Sequence, residues 1–102
     1  MMKPITLHKF CKLGRCWYSA SSEHDRDTAL LKTERFTVPD GFEVVTNEYG
    51  NHAEDMLYLN GKPKVIHTDL ISGLPYVLVL KNRKLDGKPY GTERLFLHRI
   101  ED

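Results

Sequence analysis

Four side chains near the N-terminus have the chemistry of metal ligands: His8, Cys11, Cys16 and His24. Thiolate and imidazole bind zinc, and four such ligands complete a tetrahedral shell. The order argues against it. A structural zinc site follows one close pair of ligands with a second pair, whereas here the histidines lie on either side of the cysteines. The plainer account is two reduced, half-buried thiols on neighbouring strands. A cross-strand disulfide is geometrically conceivable, but thiols inside a cell stay reduced. A Cys/His nucleophilic pair would need an activating partner and an oxyanion site, and neither is identifiable. The carboxylates Glu23, Asp25 and Asp27 fit the positive end of a helix, and Glu54 with Asp55 flank a strand. No Gly-x-Gly-x-x-Gly or Walker A loop is present, which weighs against a nucleotide-dependent enzyme. No catalytic, cofactor-binding or metal-binding residue is therefore assigned.

Two groups have the composition of a binding surface. Lys81, Arg83, Lys84 and Lys88 surround the dipeptide Asp86-Gly87, with Tyr76 and Tyr90 on either side. Basic side chains beside aromatics can contact phosphates and stack on bases, although lysines at a hairpin tip also serve to discourage edge-to-edge association. The second group is aromatic: Phe10, Trp17 and Tyr18 among Lys9, Lys12 and Arg15.

The surrounding elements must position these groups. Residues 4–10 and 16–20 read as two strands. If Leu13-Gly14 is their two-residue loop, Lys12 faces Arg15, Cys11 faces Cys16 and Phe10 faces Trp17. Side chains alternate along a strand, so Phe10 and Trp17 share one face. Directing that face into the core leaves Tyr18 outward beside Lys9. Tyr18 would then anchor an interface with a basic rim, and charge at the hairpin tip would tune association rate. Ser22 is a plausible N-cap, and residues 22–35 contain no Gly or Pro, which predicts one short helix. Strands follow at 42–46, 56–59 and 64–67, the last two joined by Asn60-Gly61, the dipeptide of a type I′ turn. Tyr76-Val77-Leu78-Val79-Leu80 is the longest apolar run. It reads as a central strand covered on both faces. Residues 94–100 read as a strand, with a helix as the alternative.

The chain has 102 residues, 15 basic and 14 acidic, for a formal net charge of +1. That balance weighs against a dedicated electrostatic binder of nucleic acid. No apolar run approaches the roughly 20 residues of a membrane-spanning helix, and the first ten residues lack a signal-peptide core. The expectation is a soluble, cytoplasmic, single domain over residues 1–102, of α+β class, with a small mostly antiparallel sheet and one short helix in its N-terminal half. A small all-β barrel is the alternative. The expected function is a non-enzymatic protein-interaction domain, an inhibitor or adaptor that binds and occludes an unidentified partner protein, of the kind phages and mobile elements encode. The alternatives are a nucleic-acid-binding β module using the basic hairpin, and a small enzyme or zinc protein.

Overall fold

The computed structural model describes residues 3–101, and their side chains except those of 81–85 and 88–90. It holds ten strands: β1 (Ile5–Lys12), β2 (Arg15–Ser19), β3 (Ala29–Thr37), β4 (Phe42–Tyr49), β5 (His52–Leu59), β6 (Lys62–Pro63), β7 (Ile66–Thr68), β8 (Pro75–Leu85), β9 (Lys88–Phe96) and β10 (His98–Arg99). All pair antiparallel, in sheets ordered β10-β3-β1-β2, β4-β5-β6 and β7-β8-β9. The first sheet curls into a half-barrel. No helix occurs among the described residues, so the protein is all-β, and the α+β expectation is corrected.

The expected helix fails for local and non-local reasons. The serines placed at its start turn the chain. The Ser21 N–H donates to Ser19 Oγ, the Glu23 N–H donates to Ser21 Oγ, and the Thr28 N–H closes a turn onto the Asp25 carbonyl. Such side-chain bonds compete with helix capping. The rest of the segment, with Thr33, Phe36 and Thr37, becomes β3 and pairs along β1 from Ile5↔Phe36 to Cys11↔Ala29. Helix propensities differ by well under about 1 kcal/mol per residue, and a ladder that also seats Phe36 in the core outweighs them.

The core is one cluster drawn from all three sheets: Ile5, Leu7, Tyr18, Phe36, Phe42, Leu57, Val77 and Leu97. The first hairpin has the register expected of it, with Cys11 opposite Cys16 and Phe10 opposite Trp17. Phe10 and Trp17 share a face, but it is the outer one. Tyr18 instead lies on the core face, 7% exposed, edge-on to Phe36 at 5.4 Å. Phe10 is buried separately, beneath His24 at 5.0 Å and Trp17 at 6.1 Å, because the loop after β2 folds back over it.

Cys11 and Cys16 form a disulfide across a Cα separation of 4.1 Å, correcting the expectation of free thiols. Residues flanking a two-residue loop form a hydrogen-bonded pair, so the next pair out is the closer, non-hydrogen-bonded kind. That is where cysteines across a hairpin meet. The expectation of reduced thiols leaned on cell location rather than on this geometry.

The apolar run in β8 is central to its sheet but not covered on both faces. Val77 is fully buried between Ile66 and Leu95, while Leu78 is 37% exposed and Leu80 more so. Tyr76 is covered on the outer face by His67, Phe96 and the Arg94 guanidinium, 4.9 Å from its ring centroid. A charge should therefore separate the two faces. Val77→Asp would bury an uncompensated carboxylate and leave no folded protein. Leu78→Asp should cost about 1 kcal/mol or less, the span of strand propensity. Urea denaturation of the pair checks this, and equal losses would contradict the alternation.

Candidate protein interface

Among the described residues, three two-residue turns have both central residues at positive φ, the type I′ geometry: Leu13-Gly14 (51° and 78°), Asn60-Gly61 (52° and 77°) and Asp86-Gly87 (53° and 78°). Asn and Asp tolerate the left-handed region because their short polar side chains bond locally. Leucine has no such compensation, and holding an ordinary L-residue there costs about 1–2 kcal/mol. Leu13 recovers none of this by burial, since it is 94% exposed. The disulfide lies one pair below it and holds the tip.

A second connection presents apolar side chains in the same way. In the loop of residues 69–74, Asp69 Oδ2 accepts hydrogen bonds from both the N–H and the hydroxyl of Ser72, each 2.8 Å. The Asp69 N–H donates to the Leu74 carbonyl, and the Gly73 N–H donates to the Asp69 carbonyl. Arg94 Nη1 donates to Asp69 Oδ1 at 3.0 Å. These bonds fix the loop from within. Leu70 and Ile71 stand at its tip, fully exposed.

The two features are neighbours. Strand β2 lies against β7 without pairing to it. Between the hairpin and the loop runs a cleft of 510 Å³ lined by Lys9, Arg15, Trp17, His67 and Leu70, among others. Arg15 and Trp17 also line the concavity beside Leu13. Aliphatic tips with a half-exposed Trp beside a concave surface fit protein recognition.

The residues singled out from sequence distribute unevenly over this surface. Arg15 is exposed at the hairpin, opposite Lys12. Lys12 Nζ makes a loose ion pair with Asp25, 3.7 Å. Lys9 lines the cleft with its ammonium 5.8 Å from the Tyr18 ring centroid. Tyr18 is the correction, since it belongs to the core and is no outward anchor. Burial, with Glu34 second, pushes its phenol above the ordinary range, against Lys32 and Arg99. Burial also disfavours the Glu34 carboxylate, but Lys32 at 2.6 Å and Arg99 at 3.4 Å outweigh it and hold the group low. The side chains of Lys81, Arg83, Lys84 and Lys88 lie outside the described residues.

The zinc constellation disperses. Cys11 and Cys16 are joined to each other, His8 Nδ1 lies 2.9 Å from Thr33 Oγ1, and His24 Nδ1 lies 3.0 Å from the Ser22 carbonyl. No group of three or more His, Cys, Asp and Glu converges among the described residues. Sequence patterning alone does not single out Leu13, Leu70 or Ile71 as surface candidates. Leu13 was legible as the one Leu-Gly among Asn-Gly and Asp-Gly turns. Leu70 and Ile71 read only as an apolar pair in a loop.

The Ser72 N–H first, then its hydroxyl, with a further contribution from Arg94, holds the Asp69 carboxyl below its ordinary range, against a weaker opposing effect of burial. A depressed carboxyl pKa contributes stability fully present above the unfolded value, about 4, and lost as pH falls through the folded value. The Ser72 and Gly73 amides should therefore lose hydrogen-exchange protection on acidification through that lower window. Asp69→Asn should lack the transition, and amide exchange measured across pH decides the point. Comparison with protein-family models, with curated proteins and with solved structures gave no match.

Proposed function

We propose that this chain is a non-enzymatic protein-interaction domain that acts by occluding a partner, and that it docks through Leu13, Leu70, Ile71 and the flank of Trp17. The observation that carries the reading is Leu13. The same chain closes its other two I′ turns with Asn and Asp, yet at this tip it holds an exposed leucine in a left-handed conformation. A local rule broken without a compensating contact inside the molecule marks a functional position. Leu70 and Ile71 support the reading, because their loop is ordered from below by Asp69 rather than by burial of the tip. Presenting apolar side chains on pre-ordered connections lowers the entropy lost on binding.

Stability and binding should move in opposite directions on Leu13→Asn. The free protein should gain about 1 kcal/mol, the relieved left-handed strain, while affinity for the partner falls by about 2 kcal/mol or more, as at an interface hot spot. The partner is reached by installing a photoreactive diazirine amino acid at Ile71 and irradiating cells of the source. The expected result is one discrete protein adduct, absent when the group is placed at Glu43, an exposed position on β4. No adduct, or equal adducts from both positions, would overturn the assignment.

A further inference from the structure

Resting on the interface reading above, we infer that the partner meets this surface with an acidic segment, carboxylates set beside aliphatic or aromatic side chains. The charge around the apolar tips is one-sided. Lys12 and Arg15 stand directly opposite each other across the two-residue turn, an arrangement of like charges that destabilises a hairpin. Asp25 offsets Lys12 only loosely, at 3.7 Å and in solvent. Arg15 has no carboxylate within ion-pair distance among the described residues. Lys9 lies along the same cleft, its ammonium over an aromatic face. The cleft's acid, Asp69, is committed to Ser72 and Arg94. The cleft therefore presents Lys9 and Arg15 with apolar tips beside them, and a segment that brings carboxylates satisfies the cations while its apolar residues cover Leu13, Leu70 and Ile71. Self-repulsion in the free hairpin becomes attraction in the complex, which steers encounter and rejects basic partners.

Arg15→Glu tests this cleanly, because it places opposite charges across the turn and should leave the free hairpin at least as stable. With the partner captured through Ile71, the cross-linked partner segment is sequenced, and association rates are measured at two salt concentrations. The expected results are a net-negative segment, an association rate at least about tenfold slower for Arg15→Glu at low salt, and a flattened salt dependence. Lys9→Gln should slow association to a smaller extent. A neutral or basic cross-linked segment, or an unchanged rate in Arg15→Glu, would overturn the inference while leaving the interface standing. Absence of any adduct would remove the interface and this inference with it. Sedimentation of the protein with phosphatidylserine-containing vesicles, lost in a Leu70→Asp/Ile71→Asp variant, would assign the surface to lipid and overturn both.

Discussion

Strand β1 is paired on both sides, with β2 along one edge and β3 along the other, and its core-facing residues Ile5 and Leu7 are fully buried. A single hairpin cannot hold such side chains out of water by itself. The other two sheets supply the cover, one through Phe42 and Leu57 and the other through Val77. Leu97, between β9 and β10, brings the chain's end back onto the first sheet, where β10 pairs with β3. Every sheet therefore contributes to one shared core, and truncating Leu7, a fully buried member of it, to alanine would cost about 2–5 kcal/mol.

The same architecture concentrates its turn irregularities in the connections between strands. With strands running back and forth, every conflict between good turn chemistry and the residue present must fall in a connection. Two turns show no conflict, with Asn60 and Asp86 in the left-handed positions. The tip of the first hairpin combines two: Leu13 in a left-handed conformation and Lys12 facing Arg15. The Cys11–Cys16 disulfide beneath that tip keeps it closed against both. The loop of residues 69–74 meets the opposite demand, an apolar tip held by polar bonds at its base. The proposed occluding surface needs both properties, side chains that gain by being covered and a backbone that does not have to be ordered when they are.

The charged group set against the Tyr18 ring is accounted for by the fold, whereas Thr68 Oγ1 is buried with no hydrogen-bond partner among the described residues. Glu34 is held by Lys32 and Arg99 at the margin of the Tyr18 ring. The set compensates a partly buried carboxylate and gives β3 and β10 a shared anchor. The apolar tips, and Arg15 with no ion-pair partner among the described residues, have no such internal explanation, and for that reason they carry the proposed function.

Much of the local organisation was legible in the residues themselves. The Leu13-Gly14, Asn60-Gly61 and Asp86-Gly87 turns follow from the positive φ that a two-residue hairpin demands, and the first hairpin's register follows from loop length alone. Alternation also places Phe10 and Trp17 together. Which face is inward is not a local property. Tyr18 rather than Trp17 enters the core because the other sheets lie on that side, and no spacing within the hairpin records where they lie. The segment containing β3 has weak preferences either way, so its state was decided by the open edge of β1, whose paired residues lie from 18 (Cys11↔Ala29) to 31 (Ile5↔Phe36) positions away. The run in β8 looked doubly buried because five apolar residues satisfy either account, and only the position of the neighbouring sheets leaves Leu78 and Leu80 in water. Chain-local geometry thus settled turns and the first hairpin's register, while burial, and with it the surface left exposed, was set by packing between elements far apart in sequence.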